Sequence, residues 1–180
     1  MNPMRSFLTE ENIKKHREYL EKLRLRYSVL KKSEPKLNEA GIKDIARLPI
    51  KQDIKKEAAE LMSDIISHEL YFSSFSKMRT ACPELRKKFS SENAFLYELF
   101  KMARAERCGF LYIYADRHGG ITPVIDKTGE FLHIKRKPLL AVDLFEHAYF
   151  SDYGFLREKY IENALAHLDL TKISECMKKD

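Results

Sequence analysis

The chain has 180 residues, of which 44% are hydrophobic, with a formal net charge of +6 and an isoelectric point near 9.1. That is enough apolar material for one ordinary core, which excludes disorder as the default, and a mildly basic surface suits an anionic partner. Three scattered cysteines (Cys82, Cys108, Cys176) with no C-x-x-C pair exclude a zinc knuckle and a disulfide framework, and no apolar run approaches membrane-spanning length. With no apolar leader in Met1 to Asn12, a reducing cytoplasm is the expected location.

In chain order, Leu8-Thr9-Glu10-Glu11-Asn12 reads as a helix start: Thr9 can cap free N–H groups and the glutamates complement the helix dipole. Ile13, His16, Leu20, Leu23, Tyr27 and Leu30 then share one helical face. Residues 32–41 form a turn or short linker. A second helix is predicted from about Ile50 to Phe75, with Ala58, Leu61, Ile65, His68 and Phe72 aligned. The two helices predict a hairpin.

A third helix is expected over Ser91 to Arg107. The period then changes to that of strands. Phe110 to Ala115 and Ile121 to Ile125 flank a turn at Asp116-Arg117-His118-Gly119-Gly120, and either Phe131–Ile134 or Leu139–Val142 supplies a third strand of a small meander. Helix resumes after His147 and runs from Leu156 to about Met177. The fold class is therefore α+β: an N-terminal α-hairpin domain over 1–80, then an α/β domain over 81–180 with a three-stranded antiparallel sheet. The basic pairs are spread along the chain with no interleaved aromatic stripe, which argues against nucleic-acid binding.

Asp143 and His147 stand four apart in the apolar stretch 138–150, where ionisable side chains are costly unless something binds them. His16 and His68 each lie on the apolar face of a hairpin helix. Paired antiparallel, those helices would aim both imidazoles at one interior, and Asp143 and His147 would complete a set of three imidazoles and one carboxylate. Such a set suits iron or manganese, although a histidine alone on an apolar helix face is more often a hydrogen-bonded core residue than a ligand.

The stretch Asp143-Leu144-Phe145-Glu146-His147-Ala148-Tyr149-Phe150 resembles the D-x-W-E-H-A-Y-Y signature of the iron/manganese superoxide dismutases. Arg157, Tyr160 and Ile161 fall where that family has R-P-D-Y-[LI]. Ser67-His68-Glu69-Leu70-Tyr71-Phe72 is similar to N-H-x-x-F-W, Leu8 to His16 to L-S-x-E-x-x-x-x-H, and Cys108 to Tyr112 to S-G-W-x-W. The resemblance implies a homodimer that dismutates superoxide, with one iron or manganese ion per chain held by His16, His68, Asp143 and His147. It places Glu146, Tyr112 and, on a strand, His133 around those ligands, with Glu146 bridging to the ligand histidine of the other subunit, and Arg157 near the substrate funnel.

Several positions depart from the family pattern. Where the first helix usually carries a histidine and a gateway tyrosine, four and eight residues past the ligand, this chain has Leu20 and Arg24. Tyr19 or Tyr27 could stand in for the tyrosine, or Arg24 could draw in the anion. Leu20 and Phe150 together replace a histidine–tyrosine pair that meets across the dimer, and losing both members strands neither. These departures leave open a relative that keeps the fold and metal with weak or no dismutase activity.

Overall fold

A computed structural model of the chain describes residues 2–78, 80–116, 118, 120–127 and 138–178. His133 and the alternative third strand at 131–134 lie outside these described residues. Helix α1 spans Glu10–Ser33 and α2 Gln52–Ser73. Thr9 caps α1, its side chain accepting from Asn12 N. Arg24 pairs with Glu69 and Arg26 with Glu57, so residue numbers run in opposite senses across the hairpin and the two helices are antiparallel.

Helix α3 is Glu92–Ala105, with Ser91 at its N-cap accepting from Ala94 N at 3.0 Å. Strand β1 (Phe110–Ala115) is the most apolar and lies at the centre of the sheet; β2 (Ile121–Asp126) and β3 (Leu140–Asp143) pair antiparallel on either side of it. The predicted meander would have put β2 in the middle. Pro123 explains the difference, because proline has no backbone N–H to donate to a ladder and belongs on an edge strand. Gly109 precedes β1 at φ +121°, where an added Cβ would sit 2.7 Å from Asp126 O, so only glycine fits.

The predicted C-terminal helical run is three helices: α4 (Glu146–Tyr153), α5 (Arg157–Ala166) and α6 (Thr171–Met177). Gly154, at φ +52°, ends α4. Between α5 and α6 the chain turns extended to meet the end of α2: Ser76 N donates to His167 O and Asp169 N to Ser74 O, both at 2.9 Å. A continuous helix would forgo that pairing.

Among the described residues, two apolar clusters result. One lies inside the hairpin, around Leu23, Tyr27, Leu37, Ile45, Ala58 and Leu61. The larger joins the start of α1 and the end of α2 to the sheet and α3 to α6. His16 and His68 sit on the hairpin end nearer the larger cluster, close to the C-terminus of β3.

Candidate metal centre

Local hydrogen bonds bring four elements to one point. At the base of α1, Thr9 N and Oγ1 donate to the two carboxylate oxygens of Asp152 on α4 (2.7 and 2.6 Å), and Asn12 Nδ2 donates to Ala148 O (3.3 Å). These bonds fix His16 relative to His147. At the end of α2, Ala141 N on β3 donates to Ser74 Oγ at 2.8 Å, and that hydroxyl donates to Leu70 O at 2.7 Å, which fixes His68 relative to Asp143.

Asp143 is completely buried. Its Oδ1 accepts from Phe145 N at 2.8 Å, leaving Oδ2 free. Around Oδ2 stand His147 Nε2 at 3.0 Å, His16 Nε2 at 3.2 Å and His68 Nε2 at 3.6 Å, and the last lies 3.2 Å from His147 Nε2. All four candidate ligand atoms lie within 4.8 Å of one another. Four of the six separations, at 3.0 to 3.6 Å, are close to the edges of about 3.3–3.6 Å of a tetrahedron whose corners lie about 2.0–2.2 Å from its centre.

The orphaned atoms carry the same message. His16 Nε2 and Asp143 Oδ2 are buried with no aligned hydrogen bond to any group, although they are close to each other. Buried polar atoms left unpaired in this way call for an ion or a water. His68 Nδ1 lies 2.6 Å from Asp64 O, and a carbonyl only accepts, so the proton is on Nδ1 and Nε2 presents its lone pair inward.

The electrostatics agree. Burial lowers the His68 pKa to about 4, keeping the ring neutral as a ligand requires. Burial alone would raise Asp143, but His147 and His16 beside it hold the carboxyl well below its ordinary range. Burial alone would lower His147; the Asp143 carboxylate outweighs it and the net shift is upward. A deprotonated carboxylate among imidazoles makes a site for a cation, and the donor set fits the ion that the resemblance implies.

Aromatic side chains close the surroundings. Tyr71 packs on His16 with ring centroids 5.1 Å apart, Phe72 lies at the same distance, and Phe110 lies 5.2 Å from His68. Beneath Asp143 runs a buried phenol chain. Tyr160 Oη donates to Asp143 O at 2.7 Å, so its contact with Tyr71 Oη at 3.1 Å is one that Tyr71 must donate.

The predicted outer residues fall in different places. Tyr112 is buried in β1 with its hydroxyl bonded to Ser67 Oγ; Ser67 already donates to Ser63 O, so Tyr112 is the donor. Glu146 is exposed at the start of α4. Arg157 donates from Nη1 to Ala103 O at 3.1 Å, tying α5 to α3. Arg24 is engaged by Glu21 and Glu69. Tyr27 belongs to the hairpin cluster, about 16 Å along α1 from His16. The tyrosine over the site is Tyr19, with ring centroids 4.9 Å from His147 and 5.2 Å from His68. Asp64 and the Tyr71–Tyr160 chain escaped the sequence reading. The only signal for Asp64 was its position four residues before His68, where a helix places a carbonyl within reach of the ring.

A family model for the C-terminal domain of iron/manganese superoxide dismutases matches residues 71–176. This chain belongs to the iron/manganese superoxide dismutase family. The match covers Asp143 and His147; His16 and His68 lie before it, and the geometry brings them to the same cluster. A comparison with curated proteins finds no match. Among the described residues, no helix of this dismutase-family chain is long and apolar enough to cross a membrane.

Proposed function

We propose that the chain is a superoxide dismutase that holds one iron or manganese ion through His16, His68, Asp143 and His147. The supporting observation is the convergence of three imidazole nitrogens and one unpaired, buried carboxylate oxygen within 4.8 Å, in a member of this family. Held by these four residues, an iron or manganese ion would supply one-electron redox chemistry, enough to oxidise one superoxide to dioxygen and to reduce a second, with two protons, to hydrogen peroxide.

The protein's part is to hold charge, tautomer and access. Asp143 contributes the one negative charge among the four ligands, and its buried setting keeps water from screening it. The Asp64 carbonyl keeps the His68 proton on Nδ1. Phe72 and Phe110 pack against the imidazoles and exclude bulk water, which favours a small substrate over side reactions. The surplus of positive charge draws superoxide toward the surface.

The working unit is a homodimer in the cytoplasm. Phe155 is 96% exposed, Leu156 68% and Phe150 47%, and the Phe150 and Phe155 rings meet edge to face at 5.6 Å. An apolar patch of this kind, a few residues from His147 and Glu146, suits burial against a second copy, with Glu146 reaching the partner's ligand histidine. A second reading, a metal-holding relative with weak dismutase activity, draws on Arg24 being neutralised by two glutamates and Tyr27 lying far from the site.

Superoxide scavenging by the full chain, purified and loaded separately with iron and with manganese, decides between the readings. Activity that follows the stoichiometry of one metal and vanishes on chelation supports the dismutase. Stoichiometric metal with no scavenging supports the second reading.

A further inference from the structure

We infer that the Asp64 carboxylate biases the redox balance of this metal site from outside the ligand set, favouring the more positive oxidation state of the ion. This deepens the dismutase reading and rests on it. A site that passes single electrons is sensitive to any fixed charge beside it, and Asp64 supplies one that the four candidate ligands do not include.

Asp64 stands one helical turn before His68 on α2, and its carbonyl already holds the Nδ1 proton of that ring at 2.6 Å. Residues four apart share a helix face, with Cβ atoms about 5–6 Å from each other, so its carboxylate belongs to the same face as the imidazole. Asp64 also lines a cavity of about 380 Å³ whose walls include Phe110 and Phe145. The same two rings lie 5.2 Å from His68 and 5.8 Å from His147, so aromatic carbon is what separates the cavity from two candidate ligands. A field that crosses such a wall is screened less than one that crosses water.

The charge is not neutralised by the cations near it. Lys127, on the wall of the same cavity, pairs with Glu106, and Arg26 pairs with Glu57. Burial raises the Asp64 carboxyl above its ordinary value; the charges of Asp143 and Glu60 add to the rise, and His147 opposes it. Asp143 and His147 are candidate ligands, so the field between Asp64 and the cluster is felt in both directions. Glu60 is exposed, and solvent and salt screen it. Asp64 is thus a half-buried negative charge coupled to the ligand cluster while standing outside it. Negative charge nearby stabilises the higher of two positive charges more than the lower.

The test uses the full chain loaded with iron and equilibrated with a redox mediator, which gives one electron to the ferric site to make the ferrous one; electron paramagnetic resonance reads the ferric fraction. Asp64→Asn should raise the ferrous-to-ferric ratio at a fixed mediator potential about tenfold, a shift of about 59 mV for one electron. Asp64→Ala, which adds no amide, should move the ratio in the same direction by a similar factor. Asp64→Glu keeps the charge and should stay within about threefold of the parent. A change under about threefold in both neutral variants overturns the inference. So do opposite shifts in Asp64→Asn and Asp64→Ala, which would assign the effect to the new amide, or an Asp64→Glu shift as large as that of Asp64→Asn, which would assign it to packing. A parent chain that takes up no iron removes the dismutase reading and this inference together, whereas normal iron binding with any overturning result removes this inference alone.

Discussion

Tyr160→Phe removes one oxygen from a completely buried chain that runs from Tyr71 through Tyr160 to the backbone carbonyl of Asp143. Two hydrogen bonds vanish, together worth about 1–3 kcal/mol net, and the Tyr71 hydroxyl is left as a buried donor with nothing to receive it, at about 1–3 kcal/mol more. The expected loss is about 2–6 kcal/mol. Tyr71→Phe removes one bond and strands only an acceptor lone pair of Tyr160, for about 1 kcal/mol. The double variant leaves no stranded donor, so it should cost about 1–3 kcal/mol, little more than the bonds themselves. The two changes are therefore strongly non-additive, the double variant falling short of the sum of the singles by about 2–4 kcal/mol. Urea unfolding of the metal-free chain measures all corners of the cycle. Additivity within about 0.5 kcal/mol would mean that the two phenols act independently, and would refute the chain as a device that holds Asp143.

Three further outcomes follow from the site and its surface. Burial holds the folded His68 pKa at about 4, beneath its ordinary 6.5, so the unfolded chain binds that proton first as pH falls. The metal-free protein should accordingly lose stability between about pH 6.5 and 4, by up to about 3 kcal/mol. His147, shifted upward and partly exposed, acts in the opposite sense and offsets part of this; urea midpoints that rise on acidification would contradict it. Phe155→Glu should convert a dimer to a monomer in sedimentation while changing the monomer's stability by less than about 0.5 kcal/mol, because the ring is almost fully exposed. Arg24→Ala breaks only surface pairs with Glu21 and Glu69, so unfolding should shift by less than about 1 kcal/mol and kcat/KM for superoxide by less than about threefold; a tenfold fall would restore Arg24 as the steering cation.

Much of the fold was legible because local chemistry fixed it. Thr9 and Ser91 marked helix starts, and the aromatic run from Phe110 to Ala115 could only be a buried strand. The four candidate ligands were legible through motif and helical face together. What stayed hidden depended on contacts distant in sequence. The break between α5 and α6 is held by residues 74–76, almost a hundred positions away, and its one local mark is Asp169, whose carboxylate accepts from Thr171 N at the start of α6. Pro123 is a local mark of the sheet order, since it places β2 at an edge. Tyr27 shows the limit of periodicity: eleven residues is three helical turns, so Tyr27 shares a face with His16 while lying in another cluster. Tyr19 sits off that face by one residue and reaches the site because α2 and α4 come up beside it.

The central claim is that His16, His68, Asp143 and His147 form one metal site, and metal content measures it most directly. Asp143→Asn keeps an acceptor for Phe145 N and nearly the same volume while removing the one carboxylate from the cluster. Purified from cells supplied with both iron and manganese, the parent should carry one equivalent of metal per chain. Asp143→Asn and His16→Ala should each carry less than about a tenth of that while remaining folded by circular dichroism. Stoichiometric metal in both variants, or none in the parent, would contradict the account.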